Sequence, residues 1–274
     1  MKKHPLVSII IACYNQEDYI KDAIESVWNQ TFVDYECIIV DDGSTDNSLS
    51  VIQSCISKDD RFKVFHKCNE GICMTRNYGI SQSSGKYILP LDADDKIAPK
   101  YIEKAIQYLE QDETVKIVYC KAYKFGAEKG LFHLPKFNME TMLVNNCIFN
   151  CAFFRRMDFD KTCGYNPNMK DGLEDWDFWL SILELGENVV CIDEILFFYR
   201  IKKRSRNSVF NGESVLKYRL YKQIWENHKS LYSTYFPNPL VANDYIAIKS
   251  SYAYKLGQSI CRPIRFIKNI MGNI

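Results

Sequence analysis

Between residues 7 and 120 the chain repeats one pattern: a short, nearly unbroken apolar run, then a stretch with apolar residues at helical spacing. The apolar runs fall at 7–12 (interrupted only by Ser8), 37–40, 62–65, 87–91 and 115–120. Strands that lack polar alternation are buried on both faces, and a parallel sheet covered by helices on both sides buries them that way. The intervening segments fit. Residues 19–30 carry Ile20, Ala23, Ile24, Val27 and Trp28 on one helical face, and 44–56, 74–81 and 99–109 read as further helices. The pattern predicts an α/β fold. After residue 120 it weakens. Gly126, Gly130, Pro135, Gly164 and Pro167 mark loops over 121–170, around a strand at 149–154. Residues 173–185 read as a helix, 189–191 and 196–199 as strands, and the chain from Gly212 onward as helical.

Composition narrows the function classes. The 274 residues include 35 basic and 34 acidic side chains, a net charge of +1, which gives no electrostatic case for a nucleic-acid partner. The 11 cysteines form no C-x-x-C pair, so they are expected as reduced, buried small hydrophobes. The N-terminal apolar run is too short for a signal peptide, and no run approaches the roughly 18 residues that span a bilayer. A cytoplasmic protein is expected. Residues 257–274 mix Ile260, Ile264, Phe266, Ile267 and Ile270 with Arg262, Arg265 and Lys268. That segment either packs on the body of the protein or makes a peripheral contact with the inner face of the cytoplasmic membrane.

Ligands of an open parallel sheet bind beyond the carboxyl ends of its strands. Three of those ends carry polar groups: Ala12-Cys13-Tyr14-Asn15, Asp41-Asp42-Gly43-Ser44 and Asp92-Ala93-Asp94-Asp95. Ser44 also reads as a helix N-cap. The Asp92–Asp95 step crowds three carboxylates into four residues, which repel one another unless a cation lies among them. Hard oxygen ligands suit Mg²⁺ or Mn²⁺. An EF-hand is excluded, because Lys96 and Ile97 stand where that loop requires an oxygen ligand and a glycine. A further acidic cluster, Glu174-Asp175, opens the helix at 173 beside Trp176, Phe178 and Trp179. Acids there favour the helix dipole, and a carboxylate desolvated by large rings gains the basicity a general base needs.

Together with Gln30-Thr31-Phe32, Arg76-Asn77 and Gly85-Lys86-Tyr87-Ile88, these segments resemble the family 2 glycosyltransferases, inverting enzymes with the GT-A fold, in the family's order over about residues 5–200. The resemblance implies a Rossmann-like, mostly parallel sheet flanked by helices. A glycosyltransferase domain would span 1–205, its nucleotide-sugar half at 1–120 and its acceptor half at 121–205. A helical C-terminal extension would follow at 206–274. It implies that Ala12, Tyr14, Glu17 and Asp42 contact the nucleotide of a UDP-sugar donor, Tyr14 against uracil. Asp92 would approach the ribose, Arg76 would line the donor site, Asp94 would ligate Mg²⁺ or Mn²⁺, and Asp175 of the Glu174-Asp175 pair would be the base. The acceptor would be a saccharide or lipid-linked saccharide of bacterial surface polysaccharide or lipopolysaccharide synthesis. The basic segment 202–206 reads either as a lid over the diphosphate or as a solvated charge run.

Rival readings remain. A nucleotidyltransferase usually has a glycine-rich basic loop after its first strand, absent from residues 12–17. A receiver-type domain is about half this length and makes no use of Glu174-Asp175-Trp176. A catalytically inactive sugar-nucleotide-binding relative would not need Asp94 and Asp175.

Overall fold

The computed structural model describes residues 4–57, 59–202, 214–236 and 247–259. Its strands are β1 (Val7–Cys13), β2 (Tyr35–Asp41), β3 (Phe62–His66), β4 (Tyr87–Asp92), β5 (Lys96–Ile97), β6 (Ile117–Gly126), β7 (Gly130–Phe132), β8 (Phe153–Arg155) and β9 (Val189–Ile201). Its helices are α1 (Ile20–Trp28), α2 (Ser48–Ile56), α3 (Ile72–Ser81), α4 (Tyr101–Gln111), α5 (Met139–Met142), α6 (Arg156–Phe159), α7 (Glu174–Leu183), α8 (Ser214–Asn227) and α9 (Lys229–Tyr235). The sheet order is β3-β2-β1-β4-β8-β6-β9-β5, with β7 paired to β6. Strands β1 to β4 run parallel, β8 is antiparallel to β4 and β6, and β6 and β9 are parallel.

Burial on both faces explains the unbroken apolar strands. In β1, Ile9 and Ile11 join one core with Ile20, Ala23, Ile24 and Val27 of α1. Ile10 faces the other core, with Trp176, Phe178 and Trp179 of α7. Ser8 interrupts the run for a structural reason. Its hydroxyl donates to buried Glu36 at 2.9 Å and accepts from the Gly85 N–H at 2.8 Å. Glu36 also accepts from Ser84 N at 2.6 Å and from Lys63 Nζ at 2.9 Å. This network closes the end of the sheet opposite the acids.

The chain leaves β1 and turns to β2 on one side, while β4 lies on the other, so connections reverse direction between β1 and β4. A crevice opens at such a switch point. Pairing of β4 with β8 covers only Tyr87 and Ile88, and Pro90, which has no N–H to donate, lies beyond it.

Several boundaries differ from the sequence reading. Helix α2 starts at Ser48 with Asn47 as its N-cap residue, so Ser44 does not cap it. Ser44 instead donates to Asp41 and accepts from Asn15 N, because the loop between β2 and α2 folds against the one after β1. The strands expected at 189–191 and 196–199 are one strand, β9, whose register against β6 shifts around Lys121. Cys68, Cys163 and Cys191 are exposed rather than buried. Among the described residues no helix is long and apolar enough to cross a membrane. Residues 203–206 of the basic segment and 260–274 of the C-terminal stretch lie outside the described residues.

Gly85 approaches β1 so closely that a Cβ would lie 2.5 Å from the Ser8 nitrogen. Backbone cannot yield as a side-chain tip can, so Gly85→Ala is expected to cost about 1–3 kcal/mol. A lower urea midpoint with an unchanged m value is the expected observation.

Candidate active site

A cleft of about 580 Å³ opens at the carboxyl ends of β1, β2 and β4. Ala12, Tyr14, Asp42, Arg76, Asp92, Asp94, Glu174 and Asp175 all line it. Glu17 is not among the lining residues. Its carboxylate accepts from the N–H and the side-chain amide of Asn47, both at 2.8 Å, and so holds the start of α2 against the loop after β1. Its acidity carried no information about which way the loop turns.

The Tyr14 ring is half exposed at one end of the cleft. Beside it, Asp42 is buried at the end of β2. Its Oδ1 accepts from Lys67 Nζ at 2.5 Å and from Glu70 N at 3.0 Å, and its Oδ2 from Gly71 N at 2.9 Å. A carboxylate has about four lone-pair sites, so Oδ2 keeps accepting capacity.

The middle of the cleft is organised by Arg76 on α3, which is 1% exposed. Its Nη2 donates to Asp92 Oδ1 at 2.7 Å and its Nη1 to Glu174 Oε1 at 3.1 Å. Burial works against the guanidinium charge, but Asp92 and Glu174 outweigh it and hold Arg76 above its ordinary range. Asn150 adds a hydrogen bond to Asp92 Oδ1 at 3.2 Å.

The three crowded aspartates diverge, each to a different partner. Asp92 faces Arg76. Asp94 Oδ2 pairs with Lys202 Nζ at 2.5 Å. Asp95 is buried and accepts from the Arg200 N–H at 2.7 Å. Burial, then the charges of Asp94 and Asp92, push the Asp95 carboxyl well above the usual carboxylate range. The repulsion read from the sequence is thus relieved by protein cations, by a backbone donor and by the raised affinity of Asp95 for a proton.

Glu174 and Asp175 form the first turn of α7, after Leu173 in the left-handed region at φ 59°. Asp175 accepts from Trp176 N at 2.8 Å through Oδ1 and from Asn146 Nδ2 at 3.1 Å through Oδ2. Burial first, then the adjacent Glu174 charge, raise the Asp175 carboxyl from 3.8 to about 7, against the opposing pull of Arg76. The Trp176 indole donates to Met142 O at 2.7 Å, fixing the helix on which the acid sits.

Four site residues were not singled out by the sequence. Asn146 and Asn150 lie in the loop-rich region where no periodicity places a side chain. Lys202 was read only within the basic segment 202–206, as a lid over the diphosphate or a solvated charge run, and not as a partner of Asp94. Arg200 ties β9 to the acidic loop, donating from Nε to the Asp94 carbonyl at 2.7 Å and from Nη2 to Asp22 at 2.6 Å. Its only sequence signal is its place at the end of a strand.

A mostly parallel sheet with acids gathered at a switch point, flanked by helices, is the GT-A fold of nucleotide-diphospho-sugar transferases. Residues 8–163 match the model of the family described as glycosyl transferase family 2, and the chain belongs to that family. An uncharacterized glycosyltransferase of Haemophilus influenzae is 33% identical over 241 residues, covering 78% of this chain and 71% of the relative. A chondroitin synthase of Pasteurella multocida is 32% identical over 200 residues, covering 70% of this chain, which spans only 21% of that synthase. In fold the chain is similar to S. aureus TarS residues 1–349 solved with UDP, with TM-score 0.60, 20% identity and coverage of 72% and 60%. It is likewise similar to the mannosyltransferase PcManGT of Pyrobaculum calidifontis solved with GDP-Man and Mn²⁺, with TM-score 0.61, 14% identity and coverage of 98% and 88%.

Removing the buried guanidinium strands two carboxylates. Arg76→Met is expected to cost about 3–5 kcal/mol of stability, the range for breaking a buried ion pair from one side. Arg76→Lys should recover only part of it, since a point ammonium cannot reach both partners as a fork does. Chemical denaturation of the three proteins checks the order.

Proposed function

We propose that the protein transfers a sugar from a nucleotide-sugar, with UDP as the nucleotide, to an acceptor hydroxyl with inversion at the anomeric carbon. The observation that carries this reading is Asp175: a carboxyl raised to about 7, in one cleft with Tyr14, Asp42, Asp92 and Asp94. In this reading the Tyr14 ring stacks on the base, Asp42 Oδ2 accepts from the base, and Asp92 faces the ribose. TarS was solved with UDP and PcManGT with GDP-Man, so both neighbours of this fold support a nucleotide in the cleft.

The acceptor hydroxyl lies against Asp175. As its oxygen bonds to the anomeric carbon, the bond from that carbon to the diphosphate oxygen breaks on the opposite face. The hydroxyl proton passes to Asp175 and the nucleoside diphosphate leaves with the bonding electrons. Asn146 and the Trp176 N–H hold the carboxyl in place through the transfer. Phe132, Leu134, Phe149 and Phe197 also line the cleft and suit the apolar faces of a saccharide. A polysaccharide acceptor is supported by the chondroitin synthase relative.

Among the described residues no group of three His, Cys, Asp or Glu side chains is placed to hold a metal. Mg²⁺ is commonly held by one or two carboxylates and completed by substrate phosphates, and Asp94 offers one hard oxygen at the cleft. The residues therefore fit Mg²⁺ or Mn²⁺ as a site shared with the donor. Such an ion would act as a Lewis acid on the leaving diphosphate.

Asp175→Asn is expected to leave UDP binding unchanged while slowing transfer by about 10²–10⁴-fold, the usual worth of a positioned base. Inactivity toward all nucleotide sugars in the wild type, or near-normal transfer by the variant, would refute the assignment. The base acts deprotonated, so its working fraction falls as pH drops through its raised value. The rate at low acceptor concentration should therefore fall on the acid side with a midpoint about 7, and this limb should be missing from the residual activity of Asp175→Asn.

A further inference from the structure

Lys202 follows directly on β9, at the rim of the cleft. Its Nζ lies 2.5 Å from Asp94 Oδ2, 3.2 Å from Gln16 Oε1 and 5.1 Å from the centre of the Tyr19 ring. The backbone that delivers it is fixed, because Arg200 is bonded to Asp95, to the Asp94 carbonyl and to Asp22. The two partners are only 21% and 20% exposed, so solvent screens the pair weakly.

A Mg²⁺ ion on Asp94 would lie about 2.0–2.1 Å from a carboxylate oxygen. The ammonium already stands 2.5 Å from Oδ2, in the same space. Two cations so close repel, so ion and lysine exclude each other there. Among the described residues, the other cations lining the cleft are placed differently. Arg76 is held between Asp92 and Glu174, and Lys170 enters from the segment before α7. An ammonium has three donors. Asp94 and Gln16 take two, and the third is left for a phosphate oxygen entering the cleft.

We infer that Lys202 is a resident cation for Asp94, which receives the diphosphate of a nucleotide in the absence of a divalent ion and which a divalent ion must displace. The inference rests on the nucleotide-sugar reading of the cleft. A diphosphate approaching Asp94 meets like charge, and the ammonium, held over the Tyr19 ring, bridges the two anions. The cleft thus binds nucleotide without metal, and metal binding there is in competition with the chain's own side chain.

The test uses the full chain, with UDP titrated calorimetrically in EDTA and in saturating Mn²⁺, and Mn²⁺ titrated alone by electron paramagnetic resonance. Wild type is compared with Lys202→Ala and Lys202→Gln. In EDTA, wild type should keep its UDP affinity to within about threefold, while both variants lose about tenfold, the scale of one charge-assisted hydrogen bond. Without nucleotide, both variants should bind Mn²⁺ about tenfold more tightly than wild type, since no ammonium competes. A wild-type UDP affinity that collapses in EDTA as far as that of the variants overturns the inference and leaves the nucleotide reading standing, as does equal Mn²⁺ affinity in all three proteins. Failure of UDP to bind wild type in either medium overturns both.

Discussion

The buried guanidinium of Arg76 is the contact on which the site's geometry depends. It joins α3 to the end of β4 through Asp92 and to the start of α7 through Glu174, residues 16 and 98 positions away. Its helix can lie that near because Gly79 leaves room: a Cβ there would come within 2.6 Å of Ile10 Cγ2. A guanidinium removed from water is stable only with its charge answered, and a fork of donors can answer two carboxylates in different directions. The two halves of the cleft therefore share one charge centre. Displacing α7 would take the Glu174 carboxylate away from its guanidinium partner, so the helix that carries Asp175 is held at a set distance from the strand ends.

Around that centre the acids are sorted by environment. Asp41 is fully buried and bonded to His66 and Ser44, which makes it part of the loop framework rather than the cleft. Asp42 takes three donors from the segment before α3. Asp92 is committed to Arg76, Asp94 to a lysine, and Asp95 to a backbone N–H in a pocket that favours its proton. Chemically similar side chains within a few residues of one another thus have separate uses, and each is set by which donor the fold delivers to it.

The sheet was legible because burial on both faces leaves no polar alternation, a signal that needs only neighbouring residues. The strand-end acids were legible for the same local reason, since each follows directly on an apolar run. What sequence reasoning missed depends on distant partners. Asn150 reaches Asp92 across 58 residues, and Lys202 reaches Gln16 across 186. Asn146 touches Asp175 only because the loop after α5 folds under α7, as the Trp176 indole bond to Met142 records. Glu17 lies outside the cleft lining, and Ser44 was misread, for the converse reason. Their residue types suit a ligand and a cap, but the loops after β1 and β2 are bonded to each other, Gln16 N to Ser48 Oγ at 2.7 Å and Thr45 N to Asn15 Oδ1 at 2.8 Å. That pairing uses both side chains inside the loop framework.

The state of Asp175 follows from effects that oppose one another. Its place in the first turn of α7 favours the anion, by about 0.3–1 kcal/mol for an ordinary helix terminus. The Trp176 N–H bond and Arg76 act the same way. Burial and the Glu174 charge act against them and prevail, leaving the carboxyl at about 7. The pair is asymmetric: Glu174 is bonded to the guanidinium at 3.1 Å, and Asp175 faces the cleft without that bond. Neighbouring acids in unlike settings are how one protein keeps a structural carboxylate and a proton acceptor side by side near neutral pH. Helix α7 could not provide that contrast alone. It arises where its first turn meets the guanidinium of α3, which is why the Glu-Asp pair acquires its chemistry only in the folded chain.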